Sequence, residues 1–118
     1  LDNVWVDTSA LKIQVEAAER ELGIMADPEE RFETDYRDHL KVMVDLCTRF
    51  PETIVWGSDA PAYSYIARRI QGDGAVFGFR LKGLYADEKA ALDALPGDLR
   101  HRIGSNNAKR LLFGGYDE

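Results

Sequence analysis

The sequence predicts an α/β protein built around two parallel strands, and three observations lead there. Thr53-Ile54-Val55-Trp56 is a short apolar run closed by turn-forming residues, the pattern of a buried strand, and Val4-Trp5-Val6 is a second strand candidate. Between them, and again after the second, apolar residues recur at helical spacing. The second run then passes through Gly57 and Ser58 to a lone carboxylate, Asp59, and stops at Pro61. An acid at the carboxyl end of a buried strand sits where α/β proteins gather their chemistry.

Taken in order, the first strand is flanked by Asn3 and by Asp7-Thr8-Ser9, and Thr8 or Ser9 is expected to cap the helix that follows. Leu11, Val15, Ala18 and Leu22 form that helix's apolar stripe, and Gly23 is expected to end it. Asp27-Pro28-Glu29-Glu30 reads as a helix start that opens a short helix or only a turn. From Tyr36 to Arg49 the pattern is clearer: Leu40, Met43, Val44, Cys47 and Phe50 line one face, and Pro51 stops the helix. Alternation along the second strand sets Val55, Gly57 and Asp59 on one side and Ile54, Trp56 and Ser58 on the other.

Tyr63 to Ile70 has a helical spacing, with Tyr63, Ile66, Ala67 and Ile70 on one side. Gly72, Gly74 and Gly78 then break the chain, and Ala75 to Arg80 fits a short strand and an irregular loop equally. A helix is expected from Asp87 to Leu95, interrupted by Pro96-Gly97-Asp98, with a short helix running on through Ile103. Gly104 should end that turn and Ser105 cap a last helix, Asn106 to Phe113. Strand, helices, strand, helices implies a right-handed crossover between parallel strands. Two strands cannot cover their own edges, so the elements want neighbours.

With 118 residues, 45% apolar and 31% charged, the chain has the size and composition of one small globular domain, counted as residues 1–118. Its net charge of −6 argues against nucleic acid or an anionic membrane as the main partner. A single cysteine excludes an internal disulfide and fits a reducing cytoplasm. No apolar run is long enough to span a bilayer and no signal-peptide pattern opens the chain. The first residue is Leu1, almost directly before a strand, which reads as a piece of something longer.

Three motifs carry a family resemblance. Asn3-Val4-Trp5-Val6-Asp7-Thr8-Ser9 resembles the penultimate barrel strand of the metal-dependent amidohydrolase group that includes aminocarboxymuconate-semialdehyde decarboxylase. Ile54-Val55-Trp56-Gly57-Ser58-Asp59-Ala60-Pro61 resembles that group's last strand. The stretch from Ile103 through Gly104-Ser105-Asn106-Asn107-Ala108-Lys109-Arg110-Leu111-Leu112 to Phe113 is similar to its C-terminal helix. Their order and spacing agree across most of the chain, whereas Tyr63 to Leu84 matches nothing in the group.

The resemblance implies a partial (β/α)8 TIM barrel, the last two βα units plus the closing helices, out of about 250 residues. It implies a hydrolase that acts on a small molecule through a metal-activated water, or a decarboxylase of the same group. A divalent metal, commonly zinc, would be held by histidines of earlier strands and by Asp59, which would also serve as general base. Those histidines belong upstream of Leu1. A catalytic zinc site needs about three protein ligands, so this piece alone is expected to bind no metal tightly and to be inactive. The upstream part of the barrel is its natural partner.

Around Asp59, the substrate-binding candidates are Asp7 and Ser9, at the same rim if the strands are parallel, and Tyr63 in the loop after the acid. Tyr65 follows closely, while Trp56 alternates away toward the helical layer. An aspartate that merely forms a turn is the plainer alternative for Asp59. His39, beside an apolar stripe, and His101, among arginines, read as solvated, and Cys47 as packing. The pairs Arg68-Arg69 and Lys109-Arg110 read as solvated helix faces, and Asn106 and Asn107 as ties for the final helix. The glycines at 72, 74 and 78 lack the strand-to-helix context of a phosphate loop. Apart from the enzyme, the second class is a catalytically silent module acting by association, and the open sheet edge predicts a homo-oligomer or exchanged dimer.

Overall fold

The computed structural model describes residues 4–20, 26–60, 64–70 and 76–114, with 64–70 and 76–80 described by their backbone. Strand β1 (Val6–Asp7) pairs in parallel with β2 (Ile54–Val55), Val6 opposite Ile54 and Asp7 opposite Val55. Between them lie helix α1 (Leu11–Glu19), a 3-10 turn at Pro28–Glu30 and helix α2 (His39–Arg49). The expected parallel pair with a helical connection is therefore present. Asp27-Pro28-Glu29-Glu30 makes only a turn. The expected end of α1 at Leu22 and Gly23 lies outside the described residues.

Helix α2 starts three residues later than its spacing suggests because the Asp38 side chain accepts the Leu40 N–H at 2.9 Å and caps it there. Its buried residues are Val42, Met43 and Cys47, with Leu40, Val44 and Leu46 packed partly against them. They meet Leu11, Val15, Ile54, Ala91, Leu92, Leu95 and Ile103 in the main core. Helix α1 is apolar on a second side as well, where Ile13 and Ala17 bury Leu81.

The segment from Tyr63 to Ile70 is where the helical expectation fails. Ser64–Ile70 is strand β3, paired antiparallel with β4 (Val76–Lys82) in a seven-residue ladder running from Ser64–Lys82 to Ile70–Val76. Tyr65, Ile66 and Ile70 face Leu81, Arg80 and Val76 across that ladder. Long-range pairing of aromatic and β-branched positions outweighs a short i, i+3, i+4 coincidence. Of the undecided stretch, Ala75 to Arg80, residues 76–80 resolve as the strand alternative, and Ala75 lies outside the described residues. A ribbon is thus inserted between β2 and helix α3 (Tyr85–Asp93).

The chain closes with helix α4 (Gly97–His101), a π turn over Arg102–Asn106 and helix α5 (Asn107–Phe113). Gly104 and Ser105 do not separate two helices, contrary to their turn chemistry; they sit inside a continuous helical run. A Cβ at Gly104 would lie 3.4 Å from both Leu92 methyls, at ordinary contact distance, so this glycine packs on α3 within the helical run and does not end a helix. The widened turn also has a cause. Ile103 gives its carbonyl to the Trp56 N–H at 3.1 Å, out of the helical ladder, and Asn107 N–H reaches back five residues to Arg102.

Those contacts occupy the far edge of β2. Asn107 Nδ2 donates to the Pro51 carbonyl at 2.8 Å and to the Ile54 carbonyl at 2.7 Å, as expected for a tie on the final helix. On the other side, Val6 and Thr8 donate to Thr53 and Val55. Alternation then turns the backbone groups of Trp5 and Asp7 to the outer edge of β1.

Candidate functional site

Parallel pairing sets the carboxyl ends of β1 and β2 side by side. From β1 come Asp7, Thr8 and Ser9; from β2 come Gly57, Ser58 and Asp59. Asp7 folds its carboxylate onto its own turn, where Oδ1 accepts the Ser9 N–H at 2.6 Å and the Ser9 hydroxyl. This is an aspartate turn of the expected kind, made here by Asp7. Ser58 makes the corresponding bond after β2, its Oγ accepting the Ala60 N–H at 3.2 Å.

Asp59 itself is exposed and holds φ at +60°, a left-handed conformation that aspartate tolerates better than most residues. The expected alternation along β2 thus ends before the acid, because regular pairing covers only Ile54 and Val55. Tyr63 lies outside the described residues, so the site joins Asp7 and Ser9 in one hydrogen-bonded turn beside the strand that leads to Asp59.

Gly57 is the residue whose role local pattern does not announce. A Cβ there would fall on Ser9 Oγ and 2.6 Å from Asp7 Oδ1, so the two strand ends close on each other only over a hydrogen atom. Because the obstructing atoms are side-chain ends, Gly57→Ala should displace the Asp7–Ser9 pair and leave the strands in place. The expected cost is about 1 kcal/mol, the worth of a typical hydrogen bond. In an Asp7→Ala, Ser9→Ala background that cost should vanish. A double-mutant cycle by urea denaturation that shows the same cost in both backgrounds would contradict this geometry.

Behind the rim lies a buried carboxylate. Glu88 of α3 is 1% exposed, and its oxygens accept the Leu11 N–H at 3.2 Å and the Lys12 N–H at 3.1 Å. It therefore caps α1 from 77 residues away in sequence. Neither Thr8 nor Ser9 does so: the residue before α1 is Ala10 in a left-handed conformation with no side-chain cap, and the Ser9 hydroxyl is spent on Asp7. The Leu11 N–H is shared with the Thr8 carbonyl at 3.1 Å, so the Lys12 amide and the positive end of the helix are what draw the carboxylate in. Burial nevertheless raises the Glu88 pKa, opposed by the Lys12 and Leu11 amides and by the nearby His39.

Trp56 packs against the core, as its alternation predicts, and donates its Nε1 hydrogen to the Glu88 carbonyl at 3.0 Å. His39 is half-buried, with Nε2 at 3.1 Å from the Asp87 carbonyl, so it is tied to α3 and not simply solvated. His101 is exposed. Arg110 also departs from a solvated face: it donates to the Glu52 carbonyl at 2.7 Å and lies 5.3 Å from the Trp5 ring centre. The contact fixes β1 to α5 through a cation–π pair. Cys47 is fully buried and its thiol is pushed up to about 12 by that burial, which fits packing and not a nucleophile.

Among the described residues no three His, Cys, Asp or Glu side chains stand together as a metal shell. One exposed carboxylate does not fit a zinc ion by itself, because a catalytic zinc takes about three protein ligands. No helix among the described residues is long and apolar enough to cross a membrane. Comparison of the chain with protein-family models, with curated proteins and with solved structures gives no match.

Proposed function

We propose that this chain is the C-terminal part of a (β/α)8 metal-dependent hydrolase acting on a small molecule, with Asp59 as a metal ligand and general base. The observation that carries the reading is the parallel register of β1 and β2, whose carboxyl ends lead into Asp7–Ser9 and Gly57–Asp59. Catalytic groups of barrel enzymes come from such neighbouring strand ends. The left-handed backbone at Asp59 adds support, since unusual backbone positions gather at functional sites.

The donor set described above is too small for a metal, so the remaining ligands must come from further strands. Those strands belong beside β1, whose outer edge is free of β2; closing the barrel also requires the C-terminal run to yield the far edge of β2, which Asn107 and Ile103 occupy here, to the barrel's first strand. An apolar groove of about 350 Å³ lies where β1 and β2 meet the end of α2, lined by Val4, Val6, Leu46, Phe50, Thr53 and Ile54. It suits an apolar segment from the upstream part of the same barrel. The open outer edge of β1 supports a second reading, a module without catalysis that works by adding a strand from a partner.

The test is Asp59→Asn in the protein that carries the complete barrel. Metal content measured by elemental analysis should fall below half and turnover by at least a hundredfold. Retention of both would overturn the assignment. Substrate profiling of that protein separates hydrolysis from decarboxylation.

A further inference from the structure

The inserted ribbon is charged oppositely to the rest of the chain. Of fifteen Lys and Arg and twenty-one Asp and Glu, residues 64–82 hold Arg68, Arg69, Arg80 and Lys82 against Asp73 alone. The remainder keeps eleven cations against twenty acids. The ribbon spans about 23 Å at the usual rise per strand residue. It meets the body chiefly where β4 crosses α1, and there Leu81 is buried on Ile13 and Ala17.

Register then sorts its two faces. Positions 65, 67, 69, 77, 79 and 81 share the face of the buried Leu81, five of the six being apolar. The opposite face holds positions 68, 80 and 82, three of the four cations, together with Ile66, Ile70 and Val76. Lys82, at its base, is exposed. A two-stranded ribbon has little stability of its own and gains it from what covers its faces.

We propose that the ribbon is an association arm whose basic face seats on residues 27–38 of a second copy of this chain. That stretch holds Asp27, Glu29, Glu30, Glu33, Asp35 and Asp38, of which Asp35 is paired with Arg37 and Asp38 caps α2, leaving Asp27 and the three glutamates to carry the contact. Its two arginines are already engaged, Arg31 by the Ala26 and Ala18 carbonyls and Arg37 by Asp35. Glu29, Glu30 and Glu33 are exposed. Because arm and acidic stretch lie on the same chain, a two-fold arrangement satisfies both contacts at once. A nucleic acid lying along the arm would instead meet the strongly acidic body. The inference is independent of the hydrolase reading.

Light scattering after size exclusion tests it, at 50 mM and 500 mM salt. The expected result is a dimer at low salt whose dissociation constant rises at least tenfold at high salt, as screening of exposed charge requires. Arg80→Glu with Lys82→Glu should give a folded monomer, as should Glu29→Lys with Glu30→Lys, with circular dichroism confirming the fold. Mixing the two variants should restore a heterodimer at low salt. A monomer at every salt, or a dimer unaffected by salt and by both variants, as pairing through the β1 edge would give, would overturn the proposal. Failure of the mixed variants to pair would overturn it too, as would binding of an added polyanion by the wild type with no dimer.

Discussion

Replacing Asn107 with alanine should destabilise the chain by about 3 kcal/mol, moving a urea midpoint by roughly 2 M for a domain of this size. Asn107 is fully buried, and its amide supplies two of the bonds that hold α5 to β2 and the residues before it, at 2.8 Å to Pro51 and 2.7 Å to Ile54. Its removal leaves two carbonyl oxygens at the sheet edge without that donor. Each such loss is worth about 1 kcal/mol net, and more when a buried group stays unpaired. Asn107→Leu keeps most of the volume but supplies no donor and should cost about as much. Asn107→Asp should cost more, because it sets a carboxylate against two carbonyl oxygens. If Asn107→Leu proves near neutral, packing and not hydrogen bonding holds the helix.

Glu88→Ala should cost about 2–3 kcal/mol, since a buried cap is lost and the Lys12 amide is left without its acceptor, while the Leu11 amide keeps the Thr8 carbonyl. Glu88→Gln keeps an acceptor and should cost about 1 kcal/mol near neutral pH. The pH dependence has a definite sign. Burial raises the Glu88 carboxyl above its ordinary 4.5, so the native state holds the proton more tightly than the unfolded chain does. Its contribution to stability is therefore fully present below 4.5 and declines as pH rises through the raised value. The stability of the wild type relative to Glu88→Gln should accordingly fall between pH 4 and pH 7. Urea unfolding at several pH values measures it, and a flat or rising difference would refute the assignment.

Local pattern located what local physics determines. Most of the apolar stripe of α2, the two parallel strands and the packing of Trp56 and Cys47 follow from spacing and chain order, but Phe50, expected on that stripe, is exposed and Val42, which was not, is buried. What was illegible depends on pairing that helical spacing does not show. Ser64–Ile70 became a strand because Val76–Lys82, only five residues further on, pairs with it antiparallel. Glu88 looks like any helix-surface acid until the start of α1, 76 residues away, brings it the Lys12 amide. Gly104 looks like a stop signal, yet it sits inside a helical run packed on Leu92.

The site was legible in the same uneven way. A carboxylate after a buried strand marks Asp59, and parallel pairing brings Asp7 and Ser9 to the neighbouring strand end. The tight fit of Gly57 against them depends on the interstrand register, which no linear spacing encodes.

The π turn at Arg102–Asn106 carries one residue more than an ordinary helical turn would use. That surplus advances every later side chain by about 100° around the axis. It is the phase of the last helix, more than its composition, that aims an amide at the sheet margin and a guanidinium at the Trp5 indole. Substitutions here leave that phase intact, whereas losing a single residue would rotate the whole C-terminal anchor off its target.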